Sequence, residues 1–233
     1  MDGLRVRERL GVADVVTLSN AAVGLVAAVV AFSAPALAAR LLLLAAIADA
    51  LDGITARTMG SSDVGPLLDA ITDVISFGAT PALFVYVVTA DAWGWRDGGL
   101  VAAPPAQAAA VLGVATFFAV MSIVRTALYA KHFTEDHTRP GVQNTLAATI
   151  LAAAYLAGLS WVPGLLAGTV VLSVAMVVPV PYPKLSARDA SLMGVVQFGA
   201  VVAPTVLNRA LPRTLLVAAF AYLLLAPQFY WEE

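Results

Sequence analysis

Long apolar runs alternate with short polar joins along the whole of this 233-residue chain. Eight apolar segments can be drawn, at roughly 15–33, 36–57, 66–90, 106–130, 142–159, 163–180, 190–206 and 213–230. Most approach the ~20 residues an α-helix needs to cross a bilayer core. Within that core only a helix or a closed barrel satisfies its own backbone N–H and C=O groups, and runs this long and uniform read as helices. The pattern therefore predicts an all-α fold, a polytopic transmembrane bundle of about eight helices. Pro and Gly punctuate the joins, at Pro35, Pro104-Pro105, Pro140-Gly141, Pro163-Gly164, the 179–183 cluster and Pro212. The seventh segment is the weakest, because Gln197, Gly194 and Gly199 interrupt it.

One domain accounts for residues 1–233: an interfacial amphipathic segment at 1–13, a six-helix core over 15–180, and two further helices over 190–230. Arg5, Arg7 and Arg9 alternate with Leu and Val before the first run, as in segments that lie along a membrane surface. Ala34-Pro-Ala-Leu-Ala38 has the look of a signal-peptide cleavage site. The apolar run before it is long and contains Thr17, Ser19 and Asn20, so it reads instead as a first membrane helix.

Composition agrees. The chain is 61% hydrophobic and 12% charged, with mean hydropathy +0.88, whereas soluble domains carry about 25% charged residues. With no basic run, nucleic acid is excluded as a partner, and with no cysteine so are disulfides, thiolate catalysis and Cys-ligated metals. An even helix count puts both termini on one side. Arg57, Lys131, Arg139, Lys184 and Arg188 fall on that side with the N-terminal arginines, which makes it cytoplasmic.

Against this apolar background Asp49, Asp52, Asp69 and Asp73 stand out. One Asp at the middle of a membrane helix costs about 2.5–3.5 kcal/mol, and crowded carboxylates do not all stay ionised unless a cation sits among them. Asp49 and Asp52 are spaced i,i+3 and Asp69 and Asp73 i,i+4, so each pair shares a helix face. The short polar linker at 58–64 predicts a hairpin on which both pairs converge, with Asp63 capping the second helix. Oxygen ligands alone suit Mg²⁺ or Mn²⁺, with Ca²⁺ a further candidate, and four carboxylates suffice for two ions. Gly53 and Ala56 allow close approach to the backbone, and Arg57 can hold a phosphate in a bidentate grip. The set points to chemistry on a lipid-linked pyrophosphate at the cytoplasmic membrane edge. The rival reading is a divalent-cation transporter, whose acids tend to be scattered along a path rather than crowded at one depth.

The motif D-x2-D-G-x2-A-R-x7-G-x3-D-x3-D, at Asp49, Asp52, Gly53, Ala56, Arg57, Gly65, Asp69 and Asp73, resembles the signature of the class I CDP-alcohol phosphotransferases. The resemblance implies attack of an alcohol hydroxyl on the lipid-linked phosphorus of a CDP-alcohol, with release of CMP. It further implies the four Asp as metal ligands and Asp73 as general base. Asn20, Gly53, Ala56, Arg57 and Gly65 would line the CDP site, and the family implies a homodimer. For Thr17 and Asn20, hydrogen bonding between helices is the alternative.

The run Ser76-Phe-Gly-Ala-Thr-Pro-Ala82 is similar to a segment of phosphatidylserine synthases, and so is Val180-Pro-Tyr-Pro-Lys184. Val74 stands where glycerophosphate-transferring relatives carry Lys. L-serine is the expected acceptor and a CDP-activated archaeol or diacylglycerol the donor; inositol phosphate and glycerol phosphate are the alternatives. Serine's carboxylate calls for a cation. Arg125, inside the fourth apolar segment, is the first candidate, with Ser76 a further acceptor-site residue; Lys131, Arg139 and Lys184 are alternative cations, each also readable as a plain positive-inside anchor. His132, Glu135, Asp136 and His137 read as a solvated loop, and Trp93, Trp95, Trp161 and Trp231 as interfacial anchors.

Overall fold

The computed structural model describes residues 10–59, 62–95, 98–132, 139–183 and 186–229, without side chains at 12, 53–59, 131, 132, 139 and 187. Within these residues the chain forms α1 (Val12–Ala31), α2 (Pro35–Met59), α3 (Gly65–Asp73), a π-helical turn (Val74–Ala79), α4 (Thr80–Ala92), a short α5 (Gly99–Ala102) and α6 (Pro105–His132). Then follow β1 (Arg139–Pro140), α7 (Asn144–Leu156), α8 (Val162–Val177), β2 (Pro181–Tyr182), α9 (Ala187–Val202) and α10 (Val206–Phe229). The structure is a helical membrane bundle. Ala13–Ala31, Gly65–Ala92, Pro105–Ala130 and Val206–Phe229 are long and apolar enough to cross a bilayer. α7 and α8 are shorter apolar helices.

Small residues set the closest packing. Ala27 and Ala31 of α1 and Ala38 and Ala39 of α2 are fully buried, and these two helices make the most extensive contact in the bundle. Without a hydrophobic drive between helices in lipid, close van der Waals approach through small side chains carries the association. Phe84, Phe118, Leu42, Leu43, Met176 and Leu215 fill the middle. The weak seventh segment is held by its own polar residue: Gln197 Nε2 on α9 donates to the Leu43 carbonyl at 2.8 Å.

The third expected segment is not one regular helix. After Asp73 the backbone widens into the π-turn, and the Thr80 N–H reaches back five residues to Ile75 O. Pro81 supplies a physical reason: it has no N–H, and in a regular helix its ring would clash with the carbonyl of Phe77. Thr80 Oγ1 ties the turn down by donating to Ile75 O (2.9 Å) and Gly24 O (3.1 Å). The approach of α1 to this turn requires glycine, since a Cβ on Gly24 would lie 2.8 Å from the Ser76 Cα.

Other joins depart from the pattern. Asp63 does not cap α3: Val64 takes that position, and no side chain caps the helix. Trp95 is buried rather than interfacial, donating Nε1–H to Gln107 Oε1 at 3.1 Å and packing against Tyr86. Trp161 is 73% exposed, as an anchor should be, and Trp231 lies outside the described residues. Most of the expected interfacial segment, residues 1–9, also lies outside them, and helix already begins at Val12. β1 and β2 pair antiparallel, Arg139 with Tyr182, and tie two joins together. Burial pushes the Tyr182 phenol up, so it stays a neutral donor to Leu223 O at 3.0 Å.

Candidate active site

The site begins with α2 and α3. Asp49 lies in the second half of α2, and Asp69 and Asp73 one turn apart on α3. Each of the three offers a carboxylate oxygen, and these oxygens lie within 4.8 Å of one another. α1 packs against both helices. Asp69 is exposed, while Asp49 and Asp73 are half-buried, so the cluster opens on one side. α7 supplies a further contact, Thr145 Oγ1 donating to Asp49 Oδ2 at 3.2 Å.

Asp52 stands outside that group. It is 7% exposed, Thr17 Oγ1 from α1 donates to its Oδ2, and its Oδ1 is buried with no hydrogen-bond partner among the described residues. A buried carboxylate oxygen is costly without a compensating charge or donor. Three converging carboxylates plus this fourth oxygen are an all-oxygen donor set, which fits a hard divalent cation rather than a soft one. Gly53, Ala56 and Arg57 occupy the next turns of α2, their side chains outside those described; Gly65 opens α3.

Beside the carboxylates runs a buried polar band. Asn20 is 1% exposed; its carbonyl accepts from Ser76 Oγ at 3.2 Å, and its own Oδ1 has no hydrogen-bond partner among the described residues. On α6, Ser122, Arg125 and Thr126 share one face by their i,i+3 and i,i+4 spacing, and all three are buried. Ser122 meets the π-turn so closely that a Cβ on Gly78 would lie 3.2 Å from its own. Asn144, at the start of α7, donates Nδ2–H to Thr126 Oγ1 (2.8 Å) and to Ser122 O (3.4 Å). Its Oδ1 and the Ser122 Oγ are buried with no hydrogen-bond partner among the described residues. Arg125 lies over the Tyr129 ring at 5.5 Å and, with Pro140, Met176 and Pro179, lines a 270 Å³ cavity.

Of the residues expected from sequence, Asp49, Asp69 and Asp73 come together, Asp52 on α2 is bonded to Thr17 of α1, and Ser76 is bonded to the Asn20 carbonyl on α1. Lys184 and the 133–138 loop, with Glu135, Asp136 and His137, lie outside the described residues, as do the side chains of Lys131, His132 and Arg139. Asn144, Thr145 and Asp14 were not singled out by the sequence. Asp14 is 1% exposed and accepts the Gly11 N–H at 2.6 Å. The one available signal for Asn144 and Thr145 was their place at a helix start after Pro140-Gly141.

The chain is 26% identical to an archaetidylserine synthase of Methanothermobacter thermautotrophicus over 195 residues, which is 82% of this chain and 77% of that protein. It is 41% identical to a CDP-diacylglycerol–serine O-phosphatidyltransferase of Methanocaldococcus jannaschii over 83 residues, 35% of this chain and 38% of that protein. A Mycobacterium tuberculosis protein of the same description is 42% identical over 64 residues, 26% of this chain and 22% of its own length. The family model for CDP-alcohol phosphatidyltransferases matches residues 10–181, from the start of α1 to β2, and so takes in the carboxylate cluster, the π-turn and the polar band. With that span matched, this chain belongs to the CDP-alcohol phosphatidyltransferase family.

Proposed function

We propose that this enzyme transfers a phosphatidyl-type group from a CDP-activated lipid to the side-chain hydroxyl of L-serine, releasing CMP and leaving a serine phospholipid. The observation that carries this is the convergence of Asp49, Asp69 and Asp73, with Thr145 bonded to Asp49 and its neighbour Asn144 bonded to Thr126, the residue after the buried Arg125. The names of the relatives at 26% and 41% identity point the same way.

Asp49, Asp69 and Asp73, with Asp52 adjoining, would hold one or two Mg²⁺ or Mn²⁺ ions. Bound there, such ions neutralise the pyrophosphate and the departing CMP. Asp73 takes the proton of the serine hydroxyl. The hydroxyl oxygen bonds to the lipid-linked phosphorus, and the bond from that phosphorus to the CMP oxygen breaks, its electron pair leaving with CMP. Asn20, Gly53, Ala56, Arg57 and Gly65 line the nucleotide side.

Free serine is a zwitterion, and the polar band offers matching groups. The Arg125 guanidinium suits the carboxylate, while Asn144 Oδ1 and Ser122 Oγ are acceptors for the ammonium. A phosphorylated acceptor would call for several cations, and Arg125 is the one buried basic side chain among the described residues. The excess of Lys and Arg that the sequence assigns to one side of the expected topology supports a site facing the cytoplasm, with both termini on that side. A homodimer is part of the same reading. Acceptor competition tests it: purified protein with Mg²⁺ or Mn²⁺ and CDP-lipid should release CMP with L-serine and not with inositol phosphate or glycerol phosphate. Release with a phosphorylated acceptor would replace the substrate. Divalent-cation flux through proteoliposomes with no CMP release would replace the enzyme by a transporter.

A further inference from the structure

The start of α7 is fixed from several sides. Gly141 N–H donates to Val180 O at 2.9 Å, and Val142 N–H to Ala175 O at 3.0 Å. Ala175 lies in the last turn of α8, so the second bond satisfies one of the carbonyls a helix end leaves open. Gly141 makes this approach possible. Its φ is 74°, and a Cβ there would run into the Met176 carbonyl. Asn144, 1% exposed, ties the first turn of α7 to α6 through Thr126 Oγ1 at 2.8 Å. The next residue, Thr145, is therefore delivered to a set place against α2. A hydroxyl inside a helix often bonds back to the carbonyl four residues earlier, as Thr169 and Ser173 do on α8 at 2.7 Å each. Thr145 is only the second residue of its helix, and four residues back lies Gly141, outside it. Its hydroxyl donates across to Asp49 Oδ2 at 3.2 Å instead.

We infer that Thr145 is a positioning residue for the metal site: its hydroxyl sets the plane of the Asp49 carboxylate, and the pinned start of α7 sets the hydroxyl. The inference rests on the reading of Asp49, Asp69 and Asp73 as ligands to Mg²⁺ or Mn²⁺. The torsion that turns an Asp carboxylate is broad, so such a ligand keeps one orientation only where a second group holds it. A carboxylate already turned towards its neighbours gives up less freedom when an ion arrives, and a hydrogen-bonded ligand binds more tightly for that reason. Thr145 acts without touching the ion. The ligands come from α2 and α3, while the group that orients one of them comes from a helix more than seventy residues further along the chain.

Mn²⁺ binding tests it directly. The purified full chain is titrated with Mn²⁺ alone, and free Mn²⁺ is followed by its electron paramagnetic resonance signal. Thr145→Val keeps the branched shape and removes the donor, so the Mn²⁺ Kd should rise about tenfold, the lower end of what losing a partner of a metal ligand costs. Thr145→Ser keeps the hydroxyl and should bind Mn²⁺ within about threefold of the unmodified protein, well short of that loss. The Mn²⁺ concentration giving half-maximal CMP release should shift in the same proportion. An unchanged Kd in Thr145→Val overturns the proposal and leaves the metal site standing. So does a Thr145→Ser variant as impaired as Thr145→Val, because shape and not the hydroxyl would then matter. Asp69→Asn separates the two readings. If it binds Mn²⁺ as tightly as the unmodified protein, or if the unmodified protein binds none, the metal reading falls and the positioning role falls with it.

Discussion

The two helical pairs of this bundle make opposite use of a membrane. α2 and α3 crowd charge: Asp49, Asp69 and Asp73 bring their oxygens within 4.8 Å, and Asp52 lies buried beside them. α9 and α10 show almost no charge to their shared cavity, presenting alanines, leucines and Met193 with Asp189 at the rim. Charge in lipid is expensive, so it persists only where something compensates it, and its position is therefore sharply specified. Aliphatic walls cost nothing in lipid, and many sequences build them. In our reading the first pair fixes which bond is broken.

The comparison can be broken at the charged pair first. Asp73→Asn keeps the shape and removes the base we propose, so kcat should fall about 10²–10⁴-fold with the CDP-lipid KM little changed. A fall of less than tenfold in steady-state CMP release would move the base elsewhere. Arg125→Lys keeps the charge but loses the planar fork. The KM for serine should rise about 10–100-fold, the worth of a charged hydrogen bond, with the CDP-lipid KM unaffected. An equal rise in both would make Arg125 structural.

Smaller effects probe how the helices are held. Gly24→Ala forces α1 away from the π-turn, because the new Cβ would sit 2.8 Å from the Ser76 Cα. A cost of about 1–3 kcal/mol is expected from overpacking, seen as a lower thermal midpoint in detergent; an unshifted midpoint would mean the turn can give. Thr17→Val removes the donor to Asp52 Oδ2. A loss of about 0.5–1.5 kcal/mol, read as a few-fold fall in kcat/KM, should be the mildest change, and no change would assign Thr17 to packing alone.

Legibility in the sequence followed the same division. The eight apolar segments and the Pro and Gly joins anticipated the helices, because bilayer thickness and backbone satisfaction leave few choices. The aspartates showed against an apolar background for the reason just given. Backbone irregularity was hidden: Pro81 marks the π-turn, but whether a helix kinks, breaks or widens at proline depends on neighbours such as Gly24. The last join was hidden too, since Leu207, Asn208 and Arg209 take left-handed φ values of 49°, 54° and 64° without a glycine among them. Asn144 and Thr145 escaped because a neutral polar pair at a helix start is ordinary capping chemistry until α6 and α2 are seen packed against it. The cavity between α9 and α10 has no linear signature, since α2 and α7 supply its other walls.

The most direct measurement of the central claim follows oxygen. Purified protein is given CDP-dioleoylglycerol, a divalent metal and L-serine with a heavy-oxygen label in its side-chain hydroxyl, and the lipid product and CMP are weighed by mass spectrometry. Direct transfer to serine predicts a serine phospholipid that retains the label and CMP that carries none. A lipid product without serine, or serine lipid lacking the label, would contradict the account.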